Sequence, residues 1–498
     1  MADNTTTVPP EKEVPHAVEW WRVALPFAVT IAIALLPAPH GLAQHAWYYF
    51  AIFSGVIAAL VVEPLPNPAV GIIGVTLVAV LSGSVLFSPA EVAKPGFKVA
   101  GEAIKWALSG FASSTVWLVG GAFMFALGYA KTGLGRRIAL LLVRALGKNT
   151  LMLGYATTIA DTILAPFTPS NTARSAGTIF PVIVNLPPLY DSKPNDPSAR
   201  KIGTYVMWTT FAASCVTSSL FMTACAPNFL ALAFIKKIVH VDITYQQWMM
   251  ATLPWALPLL LALPLLAYVL CPPEIKRSAE VPVWAGGELV KMGRISTKEI
   301  VLAVLVVMAI LMWVLGGEYV DAATAAFIVI SLMLIFRVIT WNDMARHHSA
   351  WTTIVLLATL VTMADGLAKA GFIKWFAEFV AANVGGFSPT SVVLVLVTVY
   401  FFAHYMFASL TAHTSAMMPI MLAVGMGIPG VPADKLALAL AMTTGIMAVI
   451  TPYATGAALP YYNSGYIPPA QFWRLGGIFG LIFLAALLFI GVPLLMAR

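Results

Sequence analysis

The sequence predicts an all-α polytopic membrane protein, about eleven transmembrane helices with two re-entrant hairpins in an inverted repeat, and three observations predict it. Hydrophobic residues fill 60% of the 498 positions and charged residues 10%, against about 25% charge in a soluble domain; mean hydropathy is +0.88. So little charge cannot clothe a water-soluble globule, which excludes ordinary soluble enzymes. The apolar runs are long and continuous rather than alternating over about ten residues, so they are helices and not barrel strands. Two short motifs recur in register about half a chain apart, each beside an apolar stretch with a polar centre.

Residues 1–22 carry Glu11, Glu13, Glu19 and adjacent prolines before any apolar run, unlike a signal peptide, so the segment is placed in the cytoplasm and the first span is retained. Hydropathy windows then place spans at 23–39, 46–63, 67–87, 113–130, 203–234, 248–271, 299–316, 320–338, 350–368, 436–460 and 475–496. The stretches 151–186 and 391–424 are long enough to enter and leave by one side. Each has a polar cluster at its middle, Thr168-Pro169-Ser170-Asn171-Thr172 and Ser409-Leu410-Thr411-Ala412-His413. Re-entrant hairpins fit them, because non-helical backbone is tolerated at membrane depth where it lines a cavity.

Basic residues gather after the fourth span (Lys131, Arg136, Arg137, Arg144, Lys148), in 272–298 (Lys276, Arg277, Lys291, Arg294, Lys298) and in 337–348 (Arg337, Arg346). The positive-inside rule puts these loops and the N-terminus in the cytoplasm, although Lys94, Lys98, Lys236 and Lys237 fall outside. The net charge of +7 is read this way rather than as nucleic-acid binding, since no basic stripe interleaved with aromatics exists. Cys215, Cys225 and Cys271 lack C-x-x-C or zinc spacing and read as packing residues; neither a metal nor a cofactor is expected.

G-Y-A-K-T-G at Gly128–Gly133 recurs as G-L-A-K-A-G at Gly366–Gly371, an offset of 366 − 128 = 238. S-N-T-A-R at Ser170–Arg174 recurs as S-L-T-A-H at Ser409–His413, 409 − 170 = 239, each copy followed by a proline, Pro181 or Pro419. Matches in register imply a structural duplication, inverted if an odd number of crossings separates the copies. Inverted repeats with broken helices are a transporter signature.

Arg174 and His413 stand at matching places inside apolar stretches, where an unpaired cation costs at least about 3 kcal/mol. Two readings follow: each pairs within the protein, for instance Arg174 with Asp161, or both converge on a bound anion. The Ser, Thr and Asn residues of the tips would donate to carboxylate oxygens with helix N-termini behind them, or serve only as caps and turn formers. The spans after both hairpins are broken in their turn, at Thr223–Asn228 and Thr451–Gly456, by Pro227 and Pro452. Other motifs fail: Gly425–Gly430 satisfies G-x-G-x-x-G without a preceding strand, His347-His348 lacks metalloprotease spacing, and Gly476 with Gly480 reads as helix packing. Asp365 reads as interfacial.

S-N-T at Ser170–Thr172, its partner in the second repeat and N-S-G-Y-I at Asn463–Ile467 resemble the divalent anion/sodium symporter family, over nearly the whole chain after about residue 40. S-N-T-A-R with T-A-H-T-S-A and T-P-Y-A-T-G is most similar to its exchanger branch, that of bacterial citrate/succinate and tartrate/succinate antiporters and plastid 2-oxoglutarate/malate translocators. The resemblance implies a homodimer in which each protomer has a scaffold and a mobile transport domain working as an elevator. It divides the chain into scaffold helices and connector (23–110), first repeat (111–271), cytoplasmic loop (272–298), scaffold helices (299–349) and second repeat (350–498).

The substrate-binding set it implies is Ser170, Asn171, Thr172, Arg174, Ser409, Thr411, His413, Thr414, Ala224, Cys225, Thr455 and Gly456. Leu410 stands where symporters have Asn, Gly456 and Ala457 replace two prolines, and Ala224-Cys225 replaces Gly-Thr; these departures fall on sodium-site positions. The expectation is therefore a sodium-independent exchanger of di- and tricarboxylates in a bacterial inner membrane, with Arg174 and His413 in the electrostatic place of sodium. Two fixed cations would hold back an empty site until another anion binds. The alternatives are a sodium-coupled symporter of the same fold, a membrane-embedded enzyme, for which no nucleophile or metal cluster is found, and a channel, which would need a continuous polar stripe.

Overall fold

Backbone that crosses lipid must pair its own N–H and C=O groups, so apolar sequence of this kind folds as helix. The computed structural model describes residues 19–277, 279–316, 319–383 and 388–497. Among these there is no strand, only an isolated antiparallel bridge between Asn149 and Arg277. Residues 1–18 of the N-terminal segment lie outside the described residues.

The chain opens with α1 (Trp20–Leu35), α2 (Gln44–Val62) and α3 (Asn67–Val80). The expected span 67–87 ends early, at Val80, before a separate turn at Ser82–Val85. Next come α4 (Val99–Leu108), α5 (Ser114–Thr132), α6 (Leu134–Leu146) and α7 (Thr150–Leu164). Helix α8 is π-wound over Thr172–Ile179 and continues through Phe180–Ile183. After it stand α9 (Gly203–Leu220), α10 (Ala226–Phe234) and α11 (Tyr245–Leu270). Then follow α12 (Glu280–Met292), α13 (Thr297–Leu315) and α14 (Ala322–Ile335). The last part holds α15 (His348–Lys369), α16 (Phe372–Asn383), α17 (Pro389–Ala403), α18 (Leu410–Gly427), α19 (Ala433–Ile446) and α20 (Ala458–Asn463). Helix α21 covers Pro469–Ala497.

Among the described residues seven helices are long and apolar enough to cross a membrane, and α1, α3 and α14 are apolar but shorter. One of the seven, Pro389–Met406, is a hairpin arm. The spans expected at 203–234 and 436–460 are both split, as their prolines require. Helices α4, α6, α12 and α16 were not anticipated. They are short, and their charges, such as Arg136, Arg137 and Arg144 in α6, lower any long hydropathy average.

Long helix, short helix, hairpin and broken helix occur in that order twice, as α5–α10 and α15–α20. The repeated glycine motif has a local cause. Gly133 and Gly371 follow α5 and α15 in the left-handed region, at φ +77° and +93°, where a residue without Cβ ends a helix at least strain.

The two broken helices form the core. Every residue of α9 is buried, as is α19 from Leu436 to Ile446. They cross where Gly445 permits close approach: a Cβ there would meet the Ser219 nitrogen at 2.4 Å. Ser219 Oγ accepts from the Ile446 N–H at 3.0 Å at the same crossing. Helix α10 packs on α5, α15 and α18, which joins the two halves. At the edge, Arg137 of α6 is held to Glu299 of α13 at 2.5 and 3.3 Å. Asp365 on α15 pairs with Lys237 at 2.8 Å.

Candidate functional site

The first hairpin turns where its prolines forbid continued helix. Helix α7 gives way to a tight turn at Ala165–Phe167 containing Pro166, and Pro169 follows, so the backbone is extended at Thr168 before α8 begins. Ser170 Oγ accepts from the Ala173 N–H at 3.1 Å. The second tip repeats the plan: after a turn at His404–Met406, Ser409 caps α18 by accepting from the Ala412 N–H at 3.4 Å. The break before α10 is extended at Cys225, with Pro227 in the first turn where its missing N–H is harmless.

These four irregular segments meet. The tips, both breaks, Phe123 of α5 and Thr353 of α15 border a half-open cavity of about 200 Å³, lined by Pro169, Ser170, Asn171, Thr172, Ala226, Pro227, Ala408, Ser409, Leu410, Thr411, Thr455 and Gly456. Asn171 and Thr455 tie the first tip to the second break, the amide donating at 3.1 Å and the hydroxyl returning at 3.3 Å. Gly456 sits so close that a Cβ would meet Thr172 Oγ1 at 2.8 Å. The starts of α8, α10 and α18 all lie on the cavity. A helix start offers unpaired N–H groups and about half a positive charge, so their convergence suits an anion.

Seven of the twelve expected residues line this cavity: Ser170, Asn171, Thr172, Ser409, Thr411, Thr455 and Gly456. Arg174, His413, Thr414, Ala224 and Cys225 do not. Arg174 is 0% exposed, and its Nε faces Asp161 at 3.1 and 3.2 Å. Its Nη1 donates to the carbonyls of Thr168 and Ala224 at 3.0 and 2.8 Å, and its Nη2 contacts Ser214 O, Thr217 Oγ1 and Ser218 Oγ at 3.1–3.4 Å. Each guanidinium nitrogen is engaged inside the protein, so of the two sequence readings the internal pair is the observed one.

His413 is also 0% exposed, boxed by the rings of Tyr400, His404 and Phe407 at 4.4, 5.1 and 4.9 Å. Neither of its ring nitrogens has a hydrogen-bond partner among the described residues. It lies one turn behind the tip because the first residues of α18 alone reach the cavity. Thr414 accepts from Tyr400 at 3.3 Å, and the Cys225 thiol lies 3.2 Å from Asn228 Oδ1. The picture of two cations facing an anion is thereby corrected: among the described lining residues there is no ionised side chain.

The expected binding set omits Phe123, Pro169, Ala226, Pro227, Thr353, Ala408 and Leu410, although the sequence places Pro169 and Leu410 in the tip clusters and Ala226 and Pro227 in the first break. The prolines and alanines adjoin the motifs. Phe123 and Thr353 carried no local signal, since both sit within helices that read as plain spans.

Residues 17–496 match the family described as the sodium:sulfate symporter transmembrane region. Over 475 residues, 95% of this chain and 98% of the relative, the sequence is 50% identical to a citrate/succinate antiporter of Escherichia coli K12. It is 48% identical over 476 residues, 96% and 98% of the two chains, to an L-tartrate/succinate antiporter of the same strain. Among solved structures the YdaH transporter of Alcanivorax borkumensis is similar in fold, with a TM-score of 0.54 over 86% of this chain and 97% of that one at 16% identity.

Proposed function

The chain belongs to the sodium:sulfate symporter transmembrane family, and from that premise we propose that it is a membrane antiporter exchanging di- or tricarboxylates of the succinate, malate, 2-oxoglutarate, citrate and tartrate class. The observation that carries this reading is the cavity on which both hairpin tips and both helix breaks converge, walled by hydroxyls, one amide and three helix starts. Such a wall offers donors suited to carboxylate oxygens. About 200 Å³ amounts to roughly six or seven water volumes, in keeping with a small organic anion.

Exchange is sodium-independent on this reading. Its support is the place of Arg174: the guanidinium takes the main-chain carbonyls of Thr168, Ala224 and Ser214, both carboxylate oxygens of Asp161 and the hydroxyls of Thr217 and Ser218, oxygens of the kind that would otherwise surround a hard cation. Because Asp161 neutralises it, Arg174 does not itself hold the empty site back. The barrier to empty return is assigned instead to the convergent helix starts, whose positive ends are offset by a bound dianion.

The protein is further proposed to lie in a bacterial inner membrane with its N-terminus inside and eleven crossings, as a homodimer. The two repeats carry the cavity as a moving unit against the helices of 23–110 and 299–349. Exchange is tested in proteoliposomes filled with unlabelled succinate, which take up labelled dicarboxylate only when so filled. Robust uptake into empty vesicles that follows a sodium gradient would overturn it in favour of symport.

A further inference from the structure

The lining hydroxyls differ in what each has left to offer. Ser170 and Ser409 use lone pairs to cap α8 and α18, accepting from Ala173 and Ala412, which leaves their protons for an anion. Asn171 and Thr455 satisfy one another. Thr172 and Thr411 stand at helix starts among N–H donors and act with them. Thr353 is the reverse of the serines. Its hydroxyl donates to the carbonyl of Ser349, one turn earlier, at 2.8 Å, so it presents only lone pairs to the cavity.

A carboxylate is all acceptor and gains nothing from another acceptor, whereas a hydroxyl on the substrate carbon chain can donate to it. Thr353 also stands apart from the anion-binding groups. It comes from α15, while those groups come from the hairpins and breaks; among the described residues the other lining residue from outside hairpins and breaks is Phe123, whose side chain has no polar atom to offer. We infer that Thr353 is a specificity residue of the proposed carboxylate site: its oxygen accepts from the hydroxyl of a hydroxy acid and so separates hydroxylated substrates from plain dicarboxylates of the same length. This rests on the exchanger reading. It explains how one cavity can take two partners of unlike chemistry, with carboxylates held by a common set of donors and the hydroxyl read by a separate acceptor.

The test compares malate with succinate, which differ by one hydroxyl. Labelled-succinate exchange in wild-type, Thr353→Val and Thr353→Ser proteoliposomes is competed with each acid, and the malate-to-succinate ratio of half-inhibitory concentrations is read. Valine keeps the shape and removes the acceptor, so the ratio should move against malate about five- to tenfold, the worth of one hydrogen bond. Serine keeps the acceptor and should restore the wild-type ratio. A valine ratio within twofold of wild type, or a serine ratio as disturbed as valine's, would overturn the inference, because packing alone would then account for any loss. Wild-type protein that exchanges neither acid would instead defeat the exchanger reading itself.

Discussion

Replacing Arg174 by alanine removes a guanidinium but leaves everything it held. Asp161 is left without its partner in a fully buried place, and the carbonyls of Thr168, Ala224 and Ser214 lose their donor. Breaking a buried pair from one side costs about 3–5 kcal/mol, most of it the stranded charge. The sequence alone suggests a variant that folds but does not exchange; the structure predicts one that is badly destabilised in choline or potassium buffer. The vacated space is walled by a carboxylate, two hydroxyls and three carbonyl oxygens, a shell suited to a hard cation. Sodium should therefore rescue it. With a dissociation constant of about 1–10 mM, 100 mM sodium returns roughly 1.4–2.7 kcal/mol by mass action. The assay is thermal unfolding of detergent-purified protein, wild type and Arg174→Ala, in sodium against choline chloride at equal ionic strength. The midpoint of the variant should rise with sodium while that of the wild type stays flat. A variant as stable as wild type without sodium, or one indifferent to sodium, would refute both the buried-charge argument and the idea that the guanidinium stands in a cation's place.

Two further outcomes follow from the geometry. Gly456→Ala pushes a methyl to within 2.8 Å of Thr172 Oγ1, so the first tip must shift; carboxylate affinity should fall about tenfold with little loss of thermal stability, measured by competition and unfolding on the same preparation. Asp343, in the short helical turn Trp341–Ala345 before α15, is lowered to about 2 by the Lys131 ammonium at 2.5 Å and by Thr340. A depressed carboxyl contributes stability above its unfolded value near 4 and loses it as pH falls from about 4 to 2. Partial exposure limits that to less than about 1 kcal/mol, and Asp343→Asn should lower stability at pH 7 by up to that amount and flatten this limb of the unfolding profile, with variant and wild type converging near pH 2.

What the sequence made legible was whatever has a periodic or local cause. Long apolar runs become helices because lipid leaves no other option, Pro166 and Pro169 fall at the first tip and Pro452 in the second break, Pro227 opens α10, and Gly133 and Gly371 end helices because they lack a Cβ. The two tips could be seen because a polar pentad inside an apolar stretch needs a cavity. The facing of Arg174 could not. Its position in the chain is the same whether the guanidinium points into a cavity or back toward α9, and only the placing of Asp161 one arm earlier and of Ser214, Thr217 and Ser218 on the packed helix decides it. Phe123 and Thr353 were hidden for a different reason. A helix that is mostly core shows no period for the one residue that touches a ligand.

The loss of Arg174 as a free charge changes what must enforce exchange. Counting only the helix ends that face it, three starts contribute about +0.5 each, so the wall of an empty cavity presents about +1.5 locally. A dianion brings the total to about −0.5. The penalty for carrying charge through a low-dielectric layer grows with the square of that charge, about 2.3 for the empty state against 0.3 for the loaded one in the same units. The loaded carrier is favoured roughly ninefold in that term, without any fixed ionised side chain at the cavity wall. A trianion would leave about −1.5, as costly as no substrate at all. On the proposed reading a tricarboxylate therefore travels with one carboxyl protonated, and the same balance that forbids empty return selects the doubly charged form of whatever acid occupies the site.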